Sequence, residues 1–334
     1  MKKIRLPIDC VLAITYLCNS RCIMCDIWKK QEKALLPKEV FLKLPSSLKY
    51  INVSGGEPFL RDDIIEVVEN LKKAAPQAKI IISSNGFLTE RIIEKMLKMP
   101  QGTGIALSLD GMGEMHDKIR GVPQAFDKVE TTLKGLLKNN ITNIRLAFTV
   151  GTLNVSHLSK VYDFAEKYGV ELTLAFAQSS DFYFGGKENF ENPDKKILKE
   201  QFAYIIRQEL SKYKIKRWLR AYFAYGLYSL AAKDEQLLFS PAGEDYFFLD
   251  VFGNIYPSVI HNHIMGNIKE KDFSEIWFSK QADAARAQVQ NYKKPAWMIC
   301  TARTAIIRHP LAVAFWIMKK KISLTLSKKP TLLP

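Results

Sequence analysis

The sequence predicts an α/β protein whose main body is a parallel sheet built from six β/α units, followed by a smaller second region. Three observations carry that prediction. Short apolar runs alternate with stretches whose apolar spacing is near 3.6 residues. The runs are apolar almost throughout (IALSL, LTLAFA), as strands are when both faces of a sheet are covered. Polar and small-residue clusters recur where the runs end, and parallel α/β sheets build their sites on that edge.

The predicted strands are Cys10–Tyr16, Tyr50–Val53, Lys79–Ser83, Gly104–Leu109, Ile144–Val150 and Glu171–Ala177. Between them the helical spacing covers Pro37–Leu44, Arg61–Ala74, Thr89–Lys98, Ala125–Lys138 and Ser156–Tyr168, clearest in IIEVVENLKKA. Two more helices are expected at Lys195–Tyr213 and Arg217–Lys233. After Phe239 the pattern changes to short extended pieces with Gly and Pro. The divisions read as residues 1–235, 236–302 and a tail over 303–334.

Composition excludes several classes. With 334 residues, 47% hydrophobic and 25% charged, the chain buries a full core and is neither disordered nor fibrous. Five cysteines are too few for a secreted disulfide scaffold, and three of them crowd into eight positions, which points to a metal site in a reducing cytosol. The start lacks the pattern of a signal peptide, and no stretch approaches the ~20 apolar residues that span a bilayer. The expected location is therefore cytoplasmic, with attachment to the inner membrane face as one option for the tail. The net charge is +15, yet Ala284–Pro334 alone holds ten Lys/Arg and no Asp/Glu. Such a tail suits a membrane surface, an acidic partner or a phosphate-bearing substrate.

Cys18, Cys22 and Cys25 (Cys-x3-Cys-x2-Cys) give the sharpest chemical signal. A structural zinc would want a fourth Cys or His at similar range; none is apparent, and Asp26 is an unusual substitute. Three thiolates suit an iron–sulfur cluster with one iron left open to another ligand.

CNSRCIMC, SGGEP, SSNG and SLDG follow one another at successive strand ends, and in that order the sequence resembles the radical S-adenosylmethionine (SAM) superfamily over roughly Ile8–Ser180. The resemblance implies a partial (β/α)6 TIM-like barrel with a small α+β C-terminal extension. It implies a [4Fe–4S] cluster on Cys18, Cys22 and Cys25, its open iron chelated by SAM. Gly55, Gly56, Glu57 and Pro58 would line the methionine amino group, and Asn85 with Ser108 or Asp110 would lie near the carboxylate and ribose. Gln178, at the sixth strand end, completes the implied set. A carboxylate at Glu57 suits a cationic amine, and glycines admit close backbone approach. The implied chemistry is one-electron cleavage of SAM to a 5′-deoxyadenosyl radical, which abstracts hydrogen from an unactivated C–H bond. Ile23, Met24, Ile27 and Trp28 would exclude water and oxygen, or simply pack the loop.

The second region resembles the SPASM or twitch extension through SPAGEDYFFLDVFGNIYPS, MGNI, FSEIW and WMIC. That extension carries cysteines where this chain has Ser240 and Ser258, and only Cys300 remains. The expectation is a degenerate extension without an auxiliary cluster, kept as a lid and substrate wall, and redox-neutral chemistry such as rearrangement or epimerisation. Cys300 then reads either as a hydrogen-atom donor to a substrate radical or as a buried remnant; Cys10 reads as core.

Other features leave alternatives open. His261 and His263 have metal-compatible spacing but read more readily as exposed loop residues. His116 and Arg120, in Gly111–Gly121, support a substrate or only their loop. Phe182, Tyr183 and Phe184 could stack on a sugar, base or peptide, or pack. In the tail, Pro310 starts a helix placing Leu311, Phe315, Trp316 and Met318 mainly on one side, for a membrane or for the barrel.

With the first strand starting near residue 9, no leader-binding module is expected ahead of it. That favours a carbohydrate-, nucleotide- or lipid-linked substrate over a peptide, with a flavodoxin- or ferredoxin-type electron donor. Nucleic acid is not an expected partner. The rival from another class is a non-catalytic Fe–S or adenosine-binding protein docked to a membrane or complex, and intact SGGEP and SLDG argue against it.

Overall fold

The computed structural model describes residues 4–30, 34–177, 180, 182–185, 193–239, 242–291, 296–326 and 332–333. Six parallel strands form in chain order: β1 (Asp9–Thr15), β2 (Tyr50–Gly55), β3 (Lys79–Ser84), β4 (Gly104–Ser108), β5 (Ile144–Val150) and β6 (Glu171–Phe176). All six lie within two residues of the predicted positions. The helices between and after them are α1 (Ile64–Ala74), α2 (Thr89–Leu97), α3 (Glu114–Arg120), α4 (Ala125–Lys138), α5 (Leu158–Lys167), α6 (Lys195–Ser211) and α7 (Ile215–Lys233). The segment expected as a helix from Pro37 is a 3-10 turn over Lys38–Lys43. The short α3, absent from the sequence prediction, ends at Gly121 with φ +63°.

The sheet continues into the second region. β7 (Tyr246–Leu249) pairs in parallel with β1, and β8 (Asn254–Tyr256) and β9 (Gly266–Asn267) add antiparallel strands beyond it. The strand order is β6-β5-β4-β3-β2-β1-β7-β8-β9, so β6 and β9 are edges and the barrel is partial. Among the described residues four helices follow: α8 (Phe273–Trp277), α9 (Lys280–Gln290), α10 (Ile299–Arg308) and α11 (Pro310–Leu326). The region read from sequence as short extended pieces therefore also carries α8, α9 and the start of α10.

Strand faces divide two cores. Cys10, Leu12 and Ile14 of β1 point into the large core beneath the helices, as do Ile144, Leu146, Phe148 and Val150 of β5. On the other face Ala13 joins Tyr16, Ile27, Tyr183 and Phe248 in a smaller core, while Arg145, Ala147 and Thr149 of β5 are only half-buried. The strict alternation of β5 departs from the apolar run expected of a doubly covered strand, because the concave face there is not filled by side chains.

α11 packs against α6 and α7 through Val313 and Ile317, and Trp316 stacks on Tyr225 with centroids 4.9 Å apart. At 100° per residue Trp316 falls to the inner side, whereas Leu311, Phe315 and Met318 point outward. Another anchor is Trp297, whose indole N–H donates to the Phe223 carbonyl at 3.0 Å. A Cβ at Gly226 would stand 2.3 Å from its ring. Gly226→Ala is expected to destabilise the fold by about 1–3 kcal/mol through overpacking, read as a lower urea midpoint at unchanged slope.

Candidate functional site

The three-cysteine loop leaves the end of β1 and is held from two sides. On one side the backbone of β2 runs into it: Gly56 N–H donates to the Thr15 carbonyl and Glu57 N–H to the Leu17 carbonyl, both at 2.7 Å. A Cβ on Gly55 would lie 2.2 Å from the Thr15 oxygen, and one on Gly56 2.1 Å from the Leu17 oxygen. No other residue fits there. On the other side the loop docks on the end of α3. Arg21 N–H donates to the Arg120 carbonyl at 2.9 Å and Ile23 N–H to the Ile119 carbonyl at 3.0 Å.

The thiols differ in surroundings. Cys22 is buried, with the Ser20 hydroxyl 3.0 Å from its sulfur and the Arg120 guanidinium donating to it at 3.5 Å. Burial pushes the Cys18 thiol up to about 11 and Cys25 up to about 12, so loading a metal centre releases protons. Among the described residues no three Cys, His, Asp or Glu side chains converge on a single ion. A [4Fe–4S] cube does not ask for that, since each thiolate takes a different iron. The donor set fits such a cluster: three thiols on one loop, a hydroxyl and a guanidinium aimed at one sulfur, and a glycine-lined backbone edge beside them.

Strand ends two, three and four join this loop through hydrogen bonds. The Glu57 carboxylate is fully buried and accepts from Phe59 N–H at 3.2 Å, the Ser84 hydroxyl at 2.9 Å and Asn85 N–H at 2.7 Å. It braces the end of β3 beside the cysteine loop. Pro58 is buried at the start of a 3-10 turn, Pro58–Leu60. Asn85 donates to the Asn19 side chain inside the cysteine loop at 2.6 Å. Asp110 is likewise buried: it accepts from Thr149 N–H at 2.7 Å and pairs with Arg120. Ser108 stays half-buried on the concave face. Gln178, Ser240 and Gly186 lie outside the described residues.

Arg120 is the charge at the centre. Burial opposes its cationic form, but Asp110 and Cys22 beside it outweigh that and hold it above its usual value. His116 Nδ1 accepts from Asp110 N–H at 2.9 Å, which leaves the ring proton on a buried Nε2 without a hydrogen-bond partner among the described residues; burial holds its pKa well below the usual range. The pair read from sequence as substrate or loop support thus supports the cysteine loop. Asn19 and Ser20, unremarked between the first two cysteines, also belong here, and their place within CNSRC was the available signal.

A lid closes the opposite flank. Asp26 N–H donates to the Phe184 carbonyl at 2.8 Å, and a Cβ on Gly185 would strike the Asp26 carboxylate at 2.5 Å. Tyr183 is buried against Phe248, centroids 4.6 Å apart, beneath Cys25. These aromatics pack, as do Ile27 in the same core and Met24 against Ile119. Trp28 donates to the Cys22 carbonyl at 3.3 Å.

Two expectations are corrected. Cys300 lies beside Asp9, Cys10 and Tyr246 at the start of β1, its thiol pushed by burial up to about 12. That is the opposite end of a seven-residue strand from the cysteine loop, ~20 Å away, so it is badly placed to quench a radical formed there. His261 is buried, not an exposed loop residue, with Nδ1 2.6 Å from the Ser258 hydroxyl.

The radical SAM superfamily profile matches residues 12–165, and that of a SPASM iron–sulfur cluster-binding domain matches residues 241–302. Residues 12–165 therefore form a radical SAM domain, of a superfamily whose members use a [4Fe–4S] cluster and SAM. It is 29% identical over 174 residues to a probable GTP 3′,8-cyclase of Methanocaldococcus jannaschii, covering 49% of this chain and 56% of that protein. It is 30% identical over 165 residues to an Fe-coproporphyrin III synthase of Methanosarcina barkeri, covering 46% and 40%. It thus spans roughly half the length of these relatives. Among solved structures, SuiB of Streptococcus suis bound to S-adenosylmethionine superposes with a TM-score of 0.64 at 15% identity, covering 86% of this chain and 68% of SuiB. Native anSMEcpe with bound AdoMet gives 0.58 at 15% identity, covering 95% and 100%. At these identities the likeness is one of fold.

Two predictions follow from the buried charges. Arg120→Ala strands the Asp110 carboxylate and is expected to cost about 3–5 kcal/mol, measured by denaturant unfolding of the metal-free chain. Burial raises the Glu57 carboxyl to about 7. A raised acid contributes stability below its unfolded value that is lost as pH climbs through the folded one, here on the order of 3 kcal/mol between about pH 4.5 and 7. Calorimetric melts of the wild type should therefore fall more steeply with pH across that window than those of Glu57→Gln.

Proposed function

We propose that this protein is a radical SAM enzyme that abstracts a hydrogen atom from an unactivated C–H bond of a carbohydrate-, nucleotide- or lipid-linked substrate. The observation that carries the reading is the junction of the three-cysteine loop with the Gly55–Gly56 edge, where any Cβ would collide with the Thr15 and Leu17 carbonyls. That contact fixes where the cysteine loop starts and brings the backbone of a second strand end beside it.

When bound, the cluster and SAM supply one-electron cleavage of the sulfonium and, from it, a 5′-deoxyadenosyl radical. The chain's own residues hold and shield. Cys18, Cys22 and Cys25 would be the cluster ligands. The Arg120 guanidinium donates toward Cys22 and favours its thiolate, and the Ser20 hydroxyl lies 3.0 Å from the same sulfur. The edge at Gly55 and Gly56, with Ser108 and the strand-end backbone near Asn85, would take the methionine and ribose. Gln178 is assigned to the same set by its place after β6. The Tyr183–Phe184 lid and Ile27 exclude water and oxygen. A flavodoxin- or ferredoxin-type protein is the proposed donor.

Ser258 is engaged by His261, which supports reading the second region as a wall without an auxiliary cluster and the reaction as redox-neutral. A lipid-linked substrate would bring the reaction to a membrane face.

Anaerobic reconstitution tests both points. Wild type should bind about four irons and form 5′-deoxyadenosine from SAM and dithionite, and a Cys18/Cys22/Cys25→Ala triple variant should do neither. Close to eight irons would overturn the single-cluster reading. A loaded cluster that cleaves no SAM with any carbohydrate-, nucleotide- or lipid-linked candidate would favour the non-catalytic rival.

A further inference from the structure

The outer face of α11 is apolar from end to end and packs against no described part of the chain. Leu311, Phe315, Met318, Ile322 and Leu326 recur at intervals of four, three, four and four residues, and all are more than half exposed, Leu311 by 85%. That periodicity puts them on a single stripe, opposite the buried Val313 and Ile317. A 17-residue helix is about 25 Å long, so the stripe runs the length of a small domain face. An apolar stripe of that extent is well beyond the scattered apolar residues normal on a soluble surface.

The turn between α6 and α7 extends the patch. Lys321 lies over the rings of Tyr213 and Trp218, 4.8 and 4.2 Å from their centroids, and donates to the Leu210 carbonyl at 3.1 Å. This fixes the turn beside the second half of α11. Tyr213 itself is 89% exposed and Ile215 also stands out into solvent. Lys212 and Lys214 flank Tyr213 in the sequence, and Lys319 borders the stripe. No acidic residue occurs between Ala284 and Pro334.

We infer that this face, the outer stripe of α11 with Tyr213 and Ile215, docks on an anionic lipid bilayer. The helix lies in the plane of the headgroups, with Leu311, Phe315, Met318, Ile322 and Leu326 entering the acyl boundary and the lysines meeting lipid phosphates. No described helix is long and apolar enough to cross a membrane, so α11 rests on the surface. The charge argues for lipid over a second copy of this chain, because two copies meeting through this face would bring like-charged lysines together. The inference stands on this surface alone and does not depend on the radical chemistry.

The full chain is mixed with sucrose-loaded vesicles of phosphatidylcholine, with and without one third phosphatidylglycerol, and sedimented. Wild type should partition at least ~10-fold more strongly onto the anionic vesicles, with binding that weakens as salt is added. A Phe315→Glu/Met318→Glu/Ile322→Glu variant should lose at least ~10-fold of that partitioning while keeping the wild-type circular dichroism and melting profile, since all three side chains are exposed. Phe315→Trp keeps the face apolar and serves if the triple variant does not fold. Its added indole should be quenched by bromine-labelled acyl chains in anionic vesicles, beyond the quenching of the wild type. Equal partitioning of wild type and triple variant would overturn the proposal, as would no quenching of the added indole. So would wild-type dimers that the variant makes monomeric without either binding vesicles, which would assign the face to a second copy.

Discussion

The candidate site depends on one close approach of backbone to backbone. The edge of β2 at Gly55 and Gly56 meets the Thr15–Leu17 segment so tightly that two N–H groups reach two carbonyls at 2.7 Å. Only the absence of Cβ atoms permits this contact. It fixes where the chain leaves β1, and therefore where the cysteine loop begins. The carboxylate that follows extends the constraint to β3 by accepting from Ser84 and Asn85.

A buried ion pair supplies the second fixed point. Asp110 and Arg120 lie at the end of β4 and the end of α3, and neither charge is tolerable in that interior without the other. Their pairing holds α3 down, and the end of α3 receives the cysteine loop through backbone bonds. Arg120 also turns a guanidinium toward the Cys22 sulfur. One side chain therefore couples the packing of a strand end to the electrostatics of a thiolate.

The second region shares in the fold instead of hanging from it. β7 extends the sheet beside β1, and Phe248 joins the core that underlies Tyr183 and Ile27. At the other end of β1, Asp9 pairs with Arg303 of α10 at 2.6 Å. The same strand is gripped above by the cysteine loop and below by the C-terminal helices. Cys300 belongs to that lower grip, where a buried thiol packs as a small apolar group.

Local chemistry in the chain was enough to place the six strands, most of the helices and the cysteine loop. Hydrophobic period and glycine-rich strand ends are short-range signals that need no partner to be read. The clustering of Cys18, Cys22 and Cys25 and the glycine edge were legible for the same reason. Partnership was not. Glu57 and Asp110 have the chemistry of ligand-binding carboxylates, and only the tertiary structure shows them directed inward to N–H donors and to Arg120. The short α3, seven residues and about two turns long, gives too little repeated spacing to be read as a helix, and the cysteine loop packs on its end. Cys300 had a plausible reactivity, but its distance from the site depends on how α10 crosses under β1. The apolar residues of α11 were visible as a set; which of them face the barrel and which face outward was decided by the packing of Val313, Trp316 and Ile317 on α6 and α7. Sequence determined what each residue can do, and long-range packing decided what it meets.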